Sequence, residues 1–366
     1  MIKKSDLKAS GNPNLKKTTK EQNNNPLQEI SVFKRTKVLL AKAGLDDFLI
    51  ALIFVIVLAY LWPNPGVKQG TFSISNLANY GISAIFFFYG LRLSPEKFRA
   101  GLSNWKLHLT VHSATFLLFP LMVLFFHRFF RDESTELLWM GTFFLAALPS
   151  TVSSSVVMVS IARGNLPAAI FNASVSSLLG VFITPLWMGL FLSSTMGDYN
   201  LWEVIGKLML QVLFPVLLGI ALYSRLGATA ERYKKQLKYF DQFIILMIVY
   251  TSFSESFAEK MFSAFSLADI VILGILMITL FFLMYFLILF ISRMLGFNRE
   301  DKITALFCGS KKSLVQGTVM SKVLFPLSTN LGVILLPIML YHALQLILVS
   351  IIAQAMSKQP LVVEKE

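Results

Sequence analysis

The sequence predicts an all-α polytopic membrane protein with ten transmembrane helices in two inverted five-helix repeats, the fourth and ninth broken where they cross. Three observations lead there. Apolar side chains make up 55% of the 366 residues while 14% are charged, well below the about 25% typical of a soluble domain. The apolar residues fall into ten runs, most near the roughly 20 residues that cross about 30 Å of hydrocarbon. Two of these runs, at corresponding places in the two halves, are interrupted by Pro, Gly, Ser and Lys.

From Met1 to Asp47 the chain is polar and basic (KKSDLK, NLKKTTKEQNNN, FKRTK), with too little apolar surface to repay the entropy of folding. Residues 1–46 are therefore expected to be a disordered cytoplasmic tail, with nothing resembling a cleaved signal. The ten expected spans are Phe48–Trp62, Ile74–Leu91, Leu107–Phe126, Leu137–Ala162, Ala168–Leu192, Trp202–Tyr223, Phe240–Phe257, Ile270–Ser292, Ile303–Phe325 and Leu331–Ala355. They place the first repeat in residues 47–196, the second in 197–357 and a short cytoplasmic tail in 358–366. Helices satisfy every backbone group internally, which is why they can cross lipid. In the second loop SPEKFRAGL has the Ser-Pro-Glu chemistry of a helix start and predicts a short surface helix.

The net charge of +13 is a topology signal. Loops on one side carry thirteen Lys and Arg against five on the other. Because basic loops stay inside, both termini are expected in the cytoplasm and the protein in the plasma (inner) membrane. Nucleic acid is not needed to explain the charge.

An odd number of spans per half forces the second half to insert upside down. Leu179-Gly180-Val181 with Pro185 recurs as Leu331-Gly332-Val333 with Pro337, and LPSTVSSSVVM in the fourth span is matched by GSKKSLVQGTVM in the ninth. Interrupted helices in inverted halves point to a secondary transporter with its site near the midplane. Pro149 removes a donor, and Gly309 tolerates dihedrals that other residues resist. Ser150, Thr151, Ser153, Ser154 and Ser155 surround the first break with hydroxyls; Ser310, Lys311, Lys312, Ser313 and Gln316 line the second. Asn172 and Ser176, one turn apart on the fifth span, could face the crossing. A helix N-terminus favours anions, and a lysine deep in a membrane segment marks a functional site because it costs at least about 2.5 kcal/mol to place there. The bland alternative is that both lysines snorkel to the headgroups.

Other chemistry finds little support. One cysteine, Cys308, excludes an internal disulfide or a multi-cysteine metal cluster. His108 and His112 lie four apart with no Glu of the HExxH type. No GxGxxG, GxxxxGK[ST] or GxSxG motif suggests an enzyme or a nucleotide-driven pump.

The stretches FFFYGLRLSPEKFRAGLSNWKLHL, LPSTVSSSVVMVSIARGN, SSLLGVFITPL, ALFCGSKKSLVQGTVM and LLPIMLYHALQLI, in this order, resemble the SBF-like branch of the bile acid:sodium symporter family, the branch with the seventh vertebrate member. The resemblance implies a panel of spans one, two, six and seven and a core of the other six, moving against each other in alternating access. It implies a small organic anion as cargo, with sodium as the coupling ion. The chain departs from the sodium-coupled pattern. The Ser and Thr expected on the fifth span read Ala169 and Ala173, the Ser-Asn pair after the first break reads Ser155-Val156, and the acidic residue before the second reads Phe307. Lys311 and Lys312 stand where neutral polar side chains are expected. A hard cation needs several oxygens, so sodium is doubtful. A lysine ammonium is expected in its electrostatic place, with proton coupling as another possibility. The rival to a transporter is a non-transporting regulator of calcium handling, which the same branch also implies.

Overall fold

The computed structural model describes residues 47–67, 73–92, 104–127, 133–195, 206, 209–325 and 330–358. Among these, helices account for the regular structure and no strand occurs. In chain order they are α1 (Asp47–Leu61), α2 (Asn64–Val67), α3 (Ile74–Leu91), α4 (Trp105–Phe125), α5 (Glu133–Ala147), α6 (Ser153–Ile161), α7 (Leu166–Thr195) and α8 (Met209–Ala221). There follow α9 (Tyr223–Arg232), α10 (Lys234–Ala258), α11 (Leu267–Met294), α12 (Arg299–Gly309), α13 (Leu314–Leu324) and α14 (Leu331–Ser357). The expected tails and the SPEKFRAGL helix lie outside the described residues.

By length and composition, α4, α7, α11 and α14 can each cross a membrane, and α8 with α9, bent by 97°, is a fifth candidate. On α11 the large side chains of Val271, Ile272, Ile275, Phe286 and Phe290 are exposed. So long an apolar stripe left uncovered is what a hydrocarbon solvent allows and water does not. Pro185 and Pro337 sit inside the continuous helices α7 and α14, since in lipid neighbouring helices re-satisfy the freed backbone groups.

Helix ends differ from the hydropathy boundaries where charged helix formers extend them. The span expected from Phe240 begins at Lys234, because Lys and Gln propagate a helix as well as Leu does. The basic residues Arg225 and Arg232, expected in a loop, lie on α9. Lys322, counted in an outer loop, lies in the last turn of α13.

The two interrupted segments are broken in the structure. Residues 148–152 separate α5 from α6, and residues 310–313 separate α12 from α13. At the first break the Leu148 N–H closes a tight last turn on the Leu145 carbonyl, the carbonyl that Pro149, lacking an N–H, cannot engage. At the second, Gly309 does not use its freedom to adopt a left-handed backbone. Its use is close approach: a Cβ there would meet Ile288 Cδ1 at 3.0 Å and Ala114 Cβ at 3.4 Å, so the bare Cα lets α12 lie against α11 and α4.

The helices form two groups. In one, α3 packs on α8 and on α10, and α10 packs on α1 and α2. In the other, α14 packs on α5, α11, α13 and α6, and α12 packs on α4, α6, α7 and α11. The groups touch where α10 meets α13 and α14 and where the Tyr89 hydroxyl donates to the Ser174 carbonyl at 3.2 Å. The repeated Leu-Gly-Val motifs face different neighbours. A Cβ on Gly180 would meet the Pro149 ring at 2.6–2.9 Å, whereas one on Gly332 would meet Ser256 of α10.

Gly180→Ala should therefore lower stability in detergent by about 1–3 kcal/mol, because the Pro149 ring cannot rotate away. Gly274→Ala, with open space around it, should leave the melting temperature unchanged or raise it by up to about 1 kcal/mol equivalent. Equal melting temperatures for the two variants would show that α7 does not press on the first break.

Candidate functional site

A helix cut inside hydrocarbon frees N–H groups at one end and carbonyls at the other, each costly if left unpaired. Here the two breaks supply each other. The Ser313 N–H donates to the Pro149 carbonyl at 2.9 Å, and the Ser155 hydroxyl donates to the Phe307 carbonyl at 3.1 Å. From α7, the Thr184 hydroxyl donates to the Ala147 carbonyl at 2.7 Å, and the Ser176 hydroxyl accepts from the Ser150 N–H at 2.9 Å.

Lys312, 1% exposed, completes the first break. Its Nζ donates to the carbonyls of Ala146 at 2.6 Å, Leu148 at 2.8 Å and Thr115 at 2.8 Å. It also lies 4.2 Å from the centroid of the Phe119 ring, within cation–π range. An ammonium has three N–H donors, and all three are used. Two of the carbonyls belong to the C-terminal end of α5, where the helix dipole favours a cation. The third is free for a local reason. Residues 114–118 form a wide π turn, with the Phe119 N–H on the Ala114 carbonyl. In that register the Thr115 carbonyl would pair with residue 120, which is Pro and has no N–H. The return from the wide turn to the ordinary register frees a second carbonyl, that of Phe116, which accepts from the Trp187 indole at 2.7 Å.

The Lys312 backbone is clamped as well. The Gln345 side chain accepts from its N–H at 2.9 Å and donates to its carbonyl at 2.8 Å. The neighbouring Ser310 carbonyl takes the Tyr341 hydroxyl at 2.7 Å.

Lys311 points elsewhere. It is fully buried, and among the described residues its Nζ makes one hydrogen bond, to the Ser154 hydroxyl at 2.7 Å, leaving two donors. Ser154 lies in the first turn of α6, whose N-cap, Val152, has no side chain with which to cap it. By contrast α13 is capped by its own Ser313, which accepts from the Gln316 N–H. Thr151 joins Ser154 at 2.8 Å and Ser155 at 2.9 Å, with Ser150 and Ser155 3.5 Å apart. Gln316 is buried with its Oε1 unpaired. One lysine is thus saturated and the other is not.

Of the residues that the sequence marks, Pro149, Ser150, Thr151, Ser154, Ser155, Ser176, Ser310, Lys311, Lys312 and Ser313 are linked by hydrogen bonds across or around the breaks, and Gln316 by its N–H to Ser313. The Ser153 side chain lies outside the described residues. Gly309 contributes packing. Asn172 bonds within its own turn and to His108 Nδ1 at 3.1 Å, which ties α7 to α4. His112 stacks on Phe116, and no group of three metal-ligating side chains occurs among the described residues. The sequence reading missed Thr115, Pro120, Thr184 and Tyr341. The Phe-Pro in an apolar span was the available signal.

The profile of the SBF-like CPA transporter family matches residues 46–358. The chain belongs to that family. An uncharacterized Pseudomonas aeruginosa protein is 41% identical over 314 residues, 86% of this chain and 93% of its own length. The Escherichia coli (strain K12) protein named "Putative symporter YfeH" is 37% identical over 315 residues, 86% and 94% respectively. Sodium/bile acid cotransporter 7-A of Xenopus laevis is 32% identical over 318 residues, 86% and 92%. The protein is therefore an integral, multi-pass membrane protein of a transporter family.

The positions that the resemblance assigns to sodium fit that ion poorly. Ala169, Ala173 and Phe307 are fully buried and offer no side-chain oxygen, so Ser155 is left as the one hydroxyl among these positions, where a hard cation needs several oxygens.

Gln345→Leu should cost about 1–3 kcal/mol for each Lys312 backbone group left buried and unpaired, read as a lower melting temperature of the purified protein. Stability equal to that of the parent would mean that the second break is not held by this amide.

Proposed function

We propose that the chain is a secondary active transporter that moves a small organic anion by alternating access and binds it where the two breaks meet. The observation that carries this reading is the corner formed by Lys311 and α6. A buried ammonium with two unused donors faces a helix N-terminus without a side-chain cap, and neither lysine has an Asp or Glu hydrogen-bond partner among the described residues. Two positive charges or partial charges converge with nothing negative between them. That arrangement is costly when empty and favourable around a carboxylate or sulfate. Ser150, Thr151, Ser154, Ser155, Ser310 and Gln316 supply polar edges, Ser153 belongs to the same set by its place in the sequence, and Lys311 supplies the charge.

The finer architecture belongs to the same reading. Ten spans in two inverted repeats, residues 47–196 and 197–357, are supported by paired breaks at corresponding places. A panel and a core are supported by the two groups in which the helices pack. The thirteen-to-five distribution of Lys and Arg between the two sets of connections expected from the sequence, several of which lie on helix ends such as Arg225, Arg232 and Lys322, supports cytoplasmic termini in the plasma (inner) membrane.

The test is a thermal-shift screen of carboxylates and sulfates, each with a neutral analogue, followed by uptake into vesicles containing the purified full chain. At least one anion should stabilise the protein and be taken up. Lys311→Ala should weaken its binding by about tenfold or more, since a charge-assisted hydrogen bond contributes about 1.5–3 kcal/mol. Anions that stabilise parent and variant equally would place the site elsewhere. Absence of flux for every stabilising anion would refute transport.

A further inference from the structure

We propose that Lys312 is a built-in cation whose ammonium permanently fills a carbonyl cage at the crossing, so that the closed crossing requires no sodium ion from solution. The cage is defined by the three carbonyls of Thr115, Ala146 and Leu148 at 2.6–2.8 Å, with the Phe119 ring on one side. Each carbonyl is available because the backbone around it is interrupted: α5 ends before Pro149, and the wide turn of α4 runs into Pro120. Convergent carbonyls of this kind are a cation site by their own chemistry. In this chain the cation is covalently tethered.

The tether also fixes stoichiometry. A bound ion can leave when the site opens, but an ammonium on a side chain whose backbone is clamped by Gln345 cannot diffuse away. A cycle built on Lys312 returns the same charge to the same place on every turn, so no sodium gradient is harnessed through this cage. The poor fit of Ala169, Ala173 and Phe307 to sodium agrees with this. Lys311, which has unused donors, is left as the group that meets the solute.

This inference rests on the transporter reading only for its meaning in the cycle; the experiment uses no solute, so its failure is distinguishable from failure of anion uptake. The purified full chain is melted in sodium chloride and in choline chloride, whose cation is too large for the cage, with methylammonium as a third probe. The parent protein should melt at the same temperature in all three. Lys312→Ala should melt lower in choline by about 5 °C or more and regain part of that loss saturably with sodium or methylammonium, because a small cation can now occupy the cage. A saturable sodium stabilisation of the parent would overturn the proposal. So would a Lys312→Ala variant that matches the parent in choline, or one whose loss neither cation relieves. If Lys312→Ala yields no folded protein, Lys312→Met retains the stem and carries the same comparison, and the sodium response of the parent remains decisive by itself.

Discussion

The structure depends on one constraint: backbone groups released by a break inside hydrocarbon must find partners within the protein. The break after α5 frees the carbonyls of Leu145, Ala146, Ala147 and Leu148. They are met respectively by the Leu148 N–H, Lys312, Thr184 and again Lys312. The break after α12 is held by Tyr341 on the Ser310 carbonyl and by Gln345 on both backbone groups of Lys312. None of these donors belongs to the helix that it repairs, apart from the Leu148 N–H. The accounting closes only when α4, α5, α7, α12, α13 and α14 are assembled together, so the breaks both require the tertiary fold and specify it.

Two adjacent lysines meet this constraint with opposite results. Placing an ammonium in a low-dielectric interior costs several kcal/mol even after relaxation. Lys312 recovers much of that through three charge-assisted hydrogen bonds, each worth about 1.5–3 kcal/mol, and a helix C-terminus of suitable sign. Lys311 has one hydroxyl and faces a helix end of the wrong sign. By this comparison Lys312 belongs to the framework. Lys311 carries an electrostatic cost that the described residues do not offset, and the anion site proposed above rests on that difference.

Much of this was legible in the sequence, and the remainder failed for identifiable reasons. Pro149 and the Gly-Ser-Lys-Lys run announced the breaks because such residues are out of place in an apolar span. Ile74–Leu91 was readable to the residue. The division of labour between Lys311 and Lys312 was not, because neighbouring residues in a non-helical stretch project differently and only the surrounding helices decide which way. Thr115 was invisible because it contributes a backbone carbonyl, which carries no residue signature; Pro120 carried the trace. The use of Gly309 was not legible because a small residue serves both unusual dihedrals and close approach, and the sequence does not say which. Asn172, one turn from Ser176, was open to a place at the crossing or to bonding between helices; its contact with His108 of α4 was not legible because that partner is far from it in sequence.

The same bonds bear on where the molecule can yield. Separating the α5/α6 break from the α12/α13 break would cost the Pro149–Ser313, Ser155–Phe307 and Ser154–Lys311 contacts together with two of the three bonds of Lys312. In hydrocarbon no water replaces them. The seam between the two helix groups is less costly to move. At that seam Tyr89 reaches Ser174, the Gly332 N–H donates to the Ser256 hydroxyl at 3.0 Å, and Glu255 of α10 attracts Lys322 of α13. On the alternating-access reading proposed above, two broken helices that stay mutually satisfied would slide along α10 and carry both breaks as one body.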